Sequence, residues 1–349
     1  MNTKLEATRL PAGWLVLAGV AVAGAVIVGV SFGAADLSLG SILTEFVNRV
    51  PGIQLHSGMG SAEAAVLWKI RLPRVVLGLL VGGMLAVAGS AYQGVFRNPL
   101  ADPYLLGVAA GAGLGATLAF VYGAGSGGFH ATLLPVAAFA GSMIAVSVTY
   151  MTGSGGRGGT STASLILSGV AVAAMLTAAQ TYLQLRHTEV LRDVLSWVLG
   201  RLSTAGWREV IILLPYVVVS AGALVLSRRA LDVLALGVEE ASALGVNVRQ
   251  VRIAVLLFAS LGTAAAVSVS GLIGFVGIIV PHAVRMAVGT SYRRIIPLSL
   301  FAGAAFLVLA DVIARSLMSP AELPIGVVTA FVGGPFFLVV LRSTRKALL

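Results

Sequence analysis

The chain predicts an all-α integral membrane protein of ten transmembrane helices, and three observations lead there. Of its 349 residues 58% are hydrophobic and only 10% charged, against roughly a quarter charged in an ordinary soluble domain. The apolar residues fall in continuous runs near the roughly 20-residue length that spans a bilayer. The runs are not broken into the short alternating segments of a barrel, so helices are the structure that satisfies their backbone in lipid. There is no cysteine, which excludes disulfides and thiolate metal sites and leaves the compartment open.

Taken in order, the first span is 14–32, preceded by Lys4 and Arg9. It resembles a signal peptide in its charges, but it is span-length and no small-residue cleavage site follows, so it is read as retained. Residues 33–69 carry Asp36, Glu45, Arg49, His56 and Glu63 and are too charged to insert. The second span, 72–96, is entered through Arg71-Leu72-Pro73-Arg74. The stretch 97–113, RNPLADPYLLGVAAGAG, forces a turn, because Arg97, Asn98 and Asp102 need partners outside hydrocarbon and two prolines lack amide donors. Behind it Gly107, Gly111 and Gly115 strip one face of the third span, 104–122, for close packing.

The fourth and fifth spans, 133–151 and 163–183, are joined by a glycine-rich connector. Residues 186–201 place Val190, Val194, Trp197 and Val198 on one face and Glu189, Arg192 and Asp193 off it, the pattern of a helix lying on a surface. A sixth span, 210–226, leads into the most charged stretch, 228–252. The seventh to tenth spans are 253–269, 273–288, 296–313 and 325–341, with Pro281 expected to kink the eighth. One membrane domain thus has a first span, a half from 72 to 183 and a half from 253 to 341.

Ten spans put both termini on one side. With that side inward, it carries Lys4, Arg9, Arg97, Arg157, Arg228, Arg229, Arg249, Arg252, Arg285, Arg293, Arg294, Arg342, Arg345 and Lys346, fourteen of the 23 basic residues, so both termini are expected in the cytoplasm. The net charge of +10 is then topology and attraction to anionic lipid headgroups, and nucleic acid is not an expected partner. The halves echo at an offset of 180: Val75, Leu77, Gly82, Ala86, Val87, Ser90 and Gly94 recur as Val255, Leu257, Gly262, Ala266, Val267, Ser270 and Gly274. Five crossings separate the copies, so the expectation is an inverted repeat with a path between its halves.

No constellation of the chain's own reads as catalytic. Gly159 stands where a phosphate-binding loop needs lysine. His56, His130, His187 and His282 are scattered without metal-ligand spacing, although outer-loop His187 could meet a haem-like cargo. Asp311 and Arg315 suit an i,i+4 ion pair. Alternatively Arg315 joins Arg71 and Arg74 in an outward basic patch. Residues 236–246 form a short amphipathic helix between glycines, whose Leu236, Ala243 and Leu244 expose apolar surface suited to a docking partner. An ion-coupled secondary transporter would need an intramembrane carboxylate, for which Asp311 alone is deep enough.

Six stretches carry a family resemblance: RLPR at 71–74, RNPLADPYLLGVAAGAG at 97–113, LALGVEEASALGV at 234–246, SGLIGFVGIIVPHAVR at 270–285, ADVIAR at 310–315 and ELPIGVVTAFVGGP at 322–335. Together they resemble the FecCD-like permease subunits of type II ATP-binding-cassette importers, which carry ferric siderophores, haem and cobalamin. The resemblance implies a non-enzymatic ten-helix subunit of the bacterial or archaeal cytoplasmic membrane, paired as a homodimer around the translocation path. It binds no cofactor itself, and ATP and Mg belong to two partner ATPase subunits.

The resemblance further implies roles residue by residue. Leu236, Gly237, Glu239, Glu240, Leu244 and Gly245 look like the coupling helix that enters the ATPase. Arg71, Arg74 and Arg315 match positions that receive glutamates of an extracytoplasmic substrate-binding protein. Asn98, Leu100, Ser161 and Thr162 fall where the family narrows the path on the cytoplasmic side, and 189–200 looks like its outer helix. The cargo implied is an iron complex, ferric siderophore or haem, with cobalamin the alternative.

Overall fold

The computed structural model describes residues 11–33, 37–49, 58–123, 130–154, 162–203, 206–319 and 321–346. Every regular element among them is helical. In chain order they are α1 (Ala12–Ser31), α2 (Leu39–Val47), α3 (Ser61–Val66), a π-turn (Leu67–Arg71), α4 (Leu72–Phe96), a 3-10 turn (Pro103–Leu106), α5 (Val108–Gly123), α6 (His130–Gly153) and α7 (Thr162–Arg186). After a second 3-10 turn (Thr188–Val190) come α8 (Leu191–Val198), α9 (Trp207–Leu234), α10 (Val238–Ala243), α11 (Val248–Ser270), α12 (Val276–Val288), α13 (Tyr292–Ser316) and α14 (Ile325–Lys346). Seven helices are long and apolar enough to cross a membrane, and three shorter apolar ones, within α5, α12 and α14, stand at the other expected spans.

The departures from the sequence expectation have local causes. The third span begins at Val108 and not at 104, because Asp102 caps a 3-10 turn through Tyr104 N–H (2.7 Å) and Gly107 then takes a left-handed conformation, φ 82°. The eighth begins at Val276, since Gly271 and Phe275 have positive φ and hold the preceding residues out of the helix. The sixth runs on to Leu234, into the charged stretch.

Helix α4 is the centre of the bundle. It packs on α9, α11, α12 and α13, and α13 also holds α1. Glycine makes the approach possible: a Cβ on Gly82 would strike the carbonyl oxygen of Gly303 in α13, and one on Gly89 that of Gly277 in α12. The glycine face read from α5 does the same, with Gly111 and Gly115 against the backbone of Gly141 and Ala137 in α6.

Five helix pairs recur between the two segments 72–186 and 248–346. The pairs α4–α13, α4–α12, α5–α6, α5–α7 and α6–α7 each have a counterpart when α4 to α7 are exchanged for α11 to α14: α11–α6, α11–α5, α12–α13, α12–α14 and α13–α14.

Candidate functional site

At the end of the bundle where α1 stops and α4 begins, the structure gathers Arg71, Arg74 and Arg315 with Asp311 and Glu322. The π-turn at 67–71 widens the helix just ahead of α4 and carries Arg71 toward α1. The last four carbonyls of a helix have no partner within it, and here all four of α1 are satisfied from outside. Val28 O accepts from Phe32 N–H (3.0 Å), Gly29 O from Arg315 Nη2, and Val30 O and Ser31 O from Arg71 Nη1 (both 2.8 Å).

Arg74 spans two carboxylates. Its Nε (3.0 and 3.1 Å) and Nη2 (2.9 Å) engage Asp311, while Nη1 and Nη2 (2.9 Å each) engage both oxygens of Glu322. Arg315 Nε stands 3.5 Å from Asp311 as the expected i,i+4 partner. Asp311 is therefore neutralised from two sides, which leaves it no free role as an ion-coupling carboxylate. The sequence reading of an outward patch needs correcting in one respect. The three arginines do share one place, but they are only 3%, 7% and 8% exposed and turn inward onto the end of α1 and two acids. Sequence spacing showed Asp311 four residues from Arg315 and gave no sign that Arg74 would take it across the bundle.

A pocket of about 110 Å³ adjoins the cluster, bounded by Arg74, Arg201, Asp311, Glu322 and the 199–203 loop. This loop is stitched to two helices of the second half, α11 and α14: Arg201 N–H donates to Ser270 O (2.8 Å), Ile325 N–H to Gly200 O (3.2 Å) and Gly326 N–H to Leu199 O (3.0 Å). It follows α8, whose Val194 and Trp197 are buried together with Val190 of the 3-10 turn ahead of it, as the amphipathic pattern requires.

At the opposite end lies the short helix α10. It starts after Gly237, where the backbone is in a conformation that side chains rarely adopt (φ 150°). It ends in a Schellman motif: Gly245 has φ 80°, its N–H donates to Ser242 O (2.9 Å), and Val246 N–H donates to Ala241 O (3.0 Å). Asn247 then caps α11 through Gln250 N–H (3.1 Å). Ala241 anchors the helix inward, while Glu239, Glu240, Ala243 and Gly245 are exposed, as are Leu236 (63%) and Leu244 (64%).

Just before α10, Asp232 caps α13 from α9: it accepts from Tyr292 N–H and Ser291 Oγ (2.9 Å), with Arg293 Nε at 3.4 Å. The sequence reading gave Asp232 no role, although an acid in so basic a stretch was the available signal.

The corner after α4 is built in the same way as the end of α10. Arg97 takes the left-handed position, φ 51°, and Asn98 N–H reaches back to Gln93 O (3.2 Å). Asn98 Oδ1 then accepts from Leu100 N–H (3.0 Å) in an Asx turn. Asn98 and Leu100 are half-buried. The 3-10 turn that follows packs on α7, which begins at Thr162, while Ser161 lies outside the described residues. Tyr104 OH links the corner to the second half, donating to Ile273 O (3.0 Å) and accepting from Ile273 N–H (3.1 Å). Burial raises the Asp102 carboxyl to about 6, opposed by the Tyr104 amide.

His187 pairs with exposed Glu189 (3.2 Å), and His282 meets the edge of Phe336. Among the described residues no three His, Cys, Asp or Glu side chains come together as metal ligands.

A model of the FecCD transport family matches residues 16–343, nearly the whole chain. The chain belongs to the FecCD transport family. It is 37% identical to the cobalamin import system permease protein BtuC of Halobacterium salinarum, over 97% of this chain and 98% of that protein. To the hemin transport system permease protein HmuU of Yersinia pestis it is 38% identical, over 80% and 84%. Among solved structures it resembles an inward-facing metal-chelate type ABC transporter, with a TM-score of 0.81 at 29% identity over 94% of this chain and 98% of that one. This FecCD chain is thus a multi-helix membrane permease of the ABC importers, and the family's own work is transport and not catalysis.

Proposed function

We propose that this permease moves an iron complex, a ferric siderophore or haem, inward across the cytoplasmic membrane. Transport is powered by two ATPase subunits beneath a homodimer, and cargo is delivered by an extracytoplasmic binding protein. The observation that carries the reading is family membership together with the short helix α10 and its flanking Leu236 and Leu244, exposed at one end of the bundle. Cobalamin is the alternative cargo, because a relative named for cobalamin is 37% identical over 97% of this chain, beside 38% over 80% for the relative named for hemin. Two repeated halves are supported by the helix pairs that recur on exchange of α4 to α7 for α11 to α14, and cytoplasmic termini by the fourteen of 23 basic residues on that side. The equivalent helices α7 and α14 leave large side chains such as Leu167, Met175, Phe331 and Val339 uncovered, which supports them as the homodimer and path surface.

In this reading Leu236, Gly237, Glu239, Glu240, Leu244 and Gly245 enter the ATPase cleft, and Asp232 passes the motion to α13. Asn98, Leu100, Ser161 and Thr162 narrow the inner exit. The cluster of Arg71, Arg74 and Arg315 lies on the face that receives carboxylates of the binding protein, and its formal charge of three arginines against two acids leaves it basic. ATP and Mg act only on the partner subunits.

The test is uptake into proteoliposomes containing the permease, its ATPase and its binding protein, with ferric siderophore, haem and cobalamin offered separately. ATP-dependent accumulation of an iron complex is expected. Gradient-driven uptake without ATP would refute the mechanism, and accumulation of cobalamin alone would replace the cargo.

A further inference from the structure

We infer that Glu322 is a built-in competitor for Arg74, displaced when a carboxylate of the binding protein docks, and that its release loosens the outer end of α14. The inference rests on the docking reading above. A guanidinium has five N–H groups. Asp311 takes Nε–H and one from Nη2, and Glu322 takes the other from Nη2 and one from Nη1. One N–H remains, whereas a two-pronged carboxylate contact needs two. An arriving carboxylate must therefore expel one of the acids.

Exposure decides which acid leaves. The Asp311 side chain is 4% exposed and also faces Arg315, while the Glu322 side chain is 39% exposed at the rim of the 110 Å³ pocket. A buried charge stripped of its partner is costly, and a rim carboxylate can return to water. Asp311 stays and Glu322 goes.

The consequence follows from what Glu322 holds. The segment that leads into α14 is fixed at three points: to α4 through Glu322 and Arg74, to α13 through Leu323 N–H on Ala314 O (2.9 Å), and to the loop after α8 through Ile325 and Gly326. Losing the first point removes the polar tie between this segment and the central helix, leaving it held by Leu323 to α13 and by Ile325 and Gly326 to the α8 loop. Arg71 and Arg315, bonded to the carbonyls of α1, hold that helix end still during the exchange.

The experiment uses the assembled importer in nanodiscs, with its cognate binding protein as probe. Because the chain has no cysteine, a single cysteine at buried Ile325 reports lifting of this segment through its reaction with a membrane-impermeant maleimide. Glu322→Gln is expected to tighten binding-protein affinity about tenfold and to speed labelling of Ile325→Cys severalfold without the binding protein. The wild type should reach that labelling rate only when docked. Glu322→Ala should act in the same direction, and Glu322→Asp should stay near wild type.

A photo-crosslinker on exposed Ala321 reads docking independently. Trapped binding protein with no effect of Glu322→Gln or Glu322→Ala would overturn the competition and leave docking standing. No adduct from Ala321, with Ile325→Cys labelling still raised by Glu322→Gln, would overturn docking at this face.

Discussion

Helices α4 and α7 have the same length, 25 residues, and nearly the same hydropathy over their most apolar stretches, 2.0 and 1.9. Yet 83% of that stretch is buried in the helix containing α4, and 17% in α7. Hydropathy reports which phase a helix prefers. It does not report its neighbour, because lipid tails are as apolar as leucine. What separates the two is where they are smooth: α4 has glycines at 78, 82, 83, 89 and 94 around its circumference, so helices close on it from several sides, while α7 has only Gly169, set against the backbone of Leu105.

The strongest way to break this contrast is Gly89→Leu in α4, which drives a side chain into the Gly277 carbonyl. Overpacking of this kind is expected to cost about 3 kcal/mol or more, seen as loss of a monodisperse, cooperatively melting protein in detergent. Leu167→Ala in α7 should shift thermal stability by less than about 0.5 kcal/mol while weakening dimerisation. Equal effects from the two would show that the burial difference does not carry the fold.

Next in size is Arg74→Ala. It leaves Asp311 with the more distant Arg315 alone and is expected to cost about 3 kcal/mol, within the range for breaking a buried ion pair. Adding Asp311→Ala should restore most of the loss, measured by thermal unfolding of single and double variants. No recovery in the double would place the cost elsewhere than in the orphaned carboxylate.

Asp232→Ala, at the other end of α13, should cost about 1–2 kcal/mol as a lost helix cap. It should also lower cargo uptake per ATP hydrolysed if α13 carries motion from the coupling end. Unchanged coupling with the expected stability loss would make Asp232 a cap only.

The smallest effect concerns Asp102. Its folded value near 6 lies above the unfolded value of 3.8, so the folded state binds the proton more tightly. Stability is greatest below the lower value and falls as pH rises through 3.8 to 6. Asp102→Asn keeps an oxygen for the Tyr104 amide and should flatten that slope, read from melting temperature against pH. A slope unchanged in the variant would assign it to another group.

Much of this was legible in one dimension. The runs of apolar residues located most of the spans, the glycine spacing at 111 and 115 announced a close helix contact while Gly107 serves the turn before it, and the periodicity around Val190, Val194 and Trp197 marked a segment with one buried face. The α10 segment, bounded by Gly237 and Gly245, was readable for the same reason: its ends depend on local backbone conformations that only a few residues tolerate. These features are set by neighbours in the chain, and periodicity reports such neighbours.

The charged clusters were not legible in that way. Arg74 and Asp311 are 237 residues apart, and Asp232 reaches α13 across about 60 residues. An ion pair leaves no period in sequence, and arginines read by composition alone look like a surface patch. Only the packing of α4, α9 and α13 decided that Arg74 lies between two acids and that Arg71 and Arg315 close the end of α1. Hydrophobic pattern thus determined where this chain forms apolar helices. The tertiary structure decided which polar groups meet there, because desolvated charges must find partners wherever the packed helices bring them.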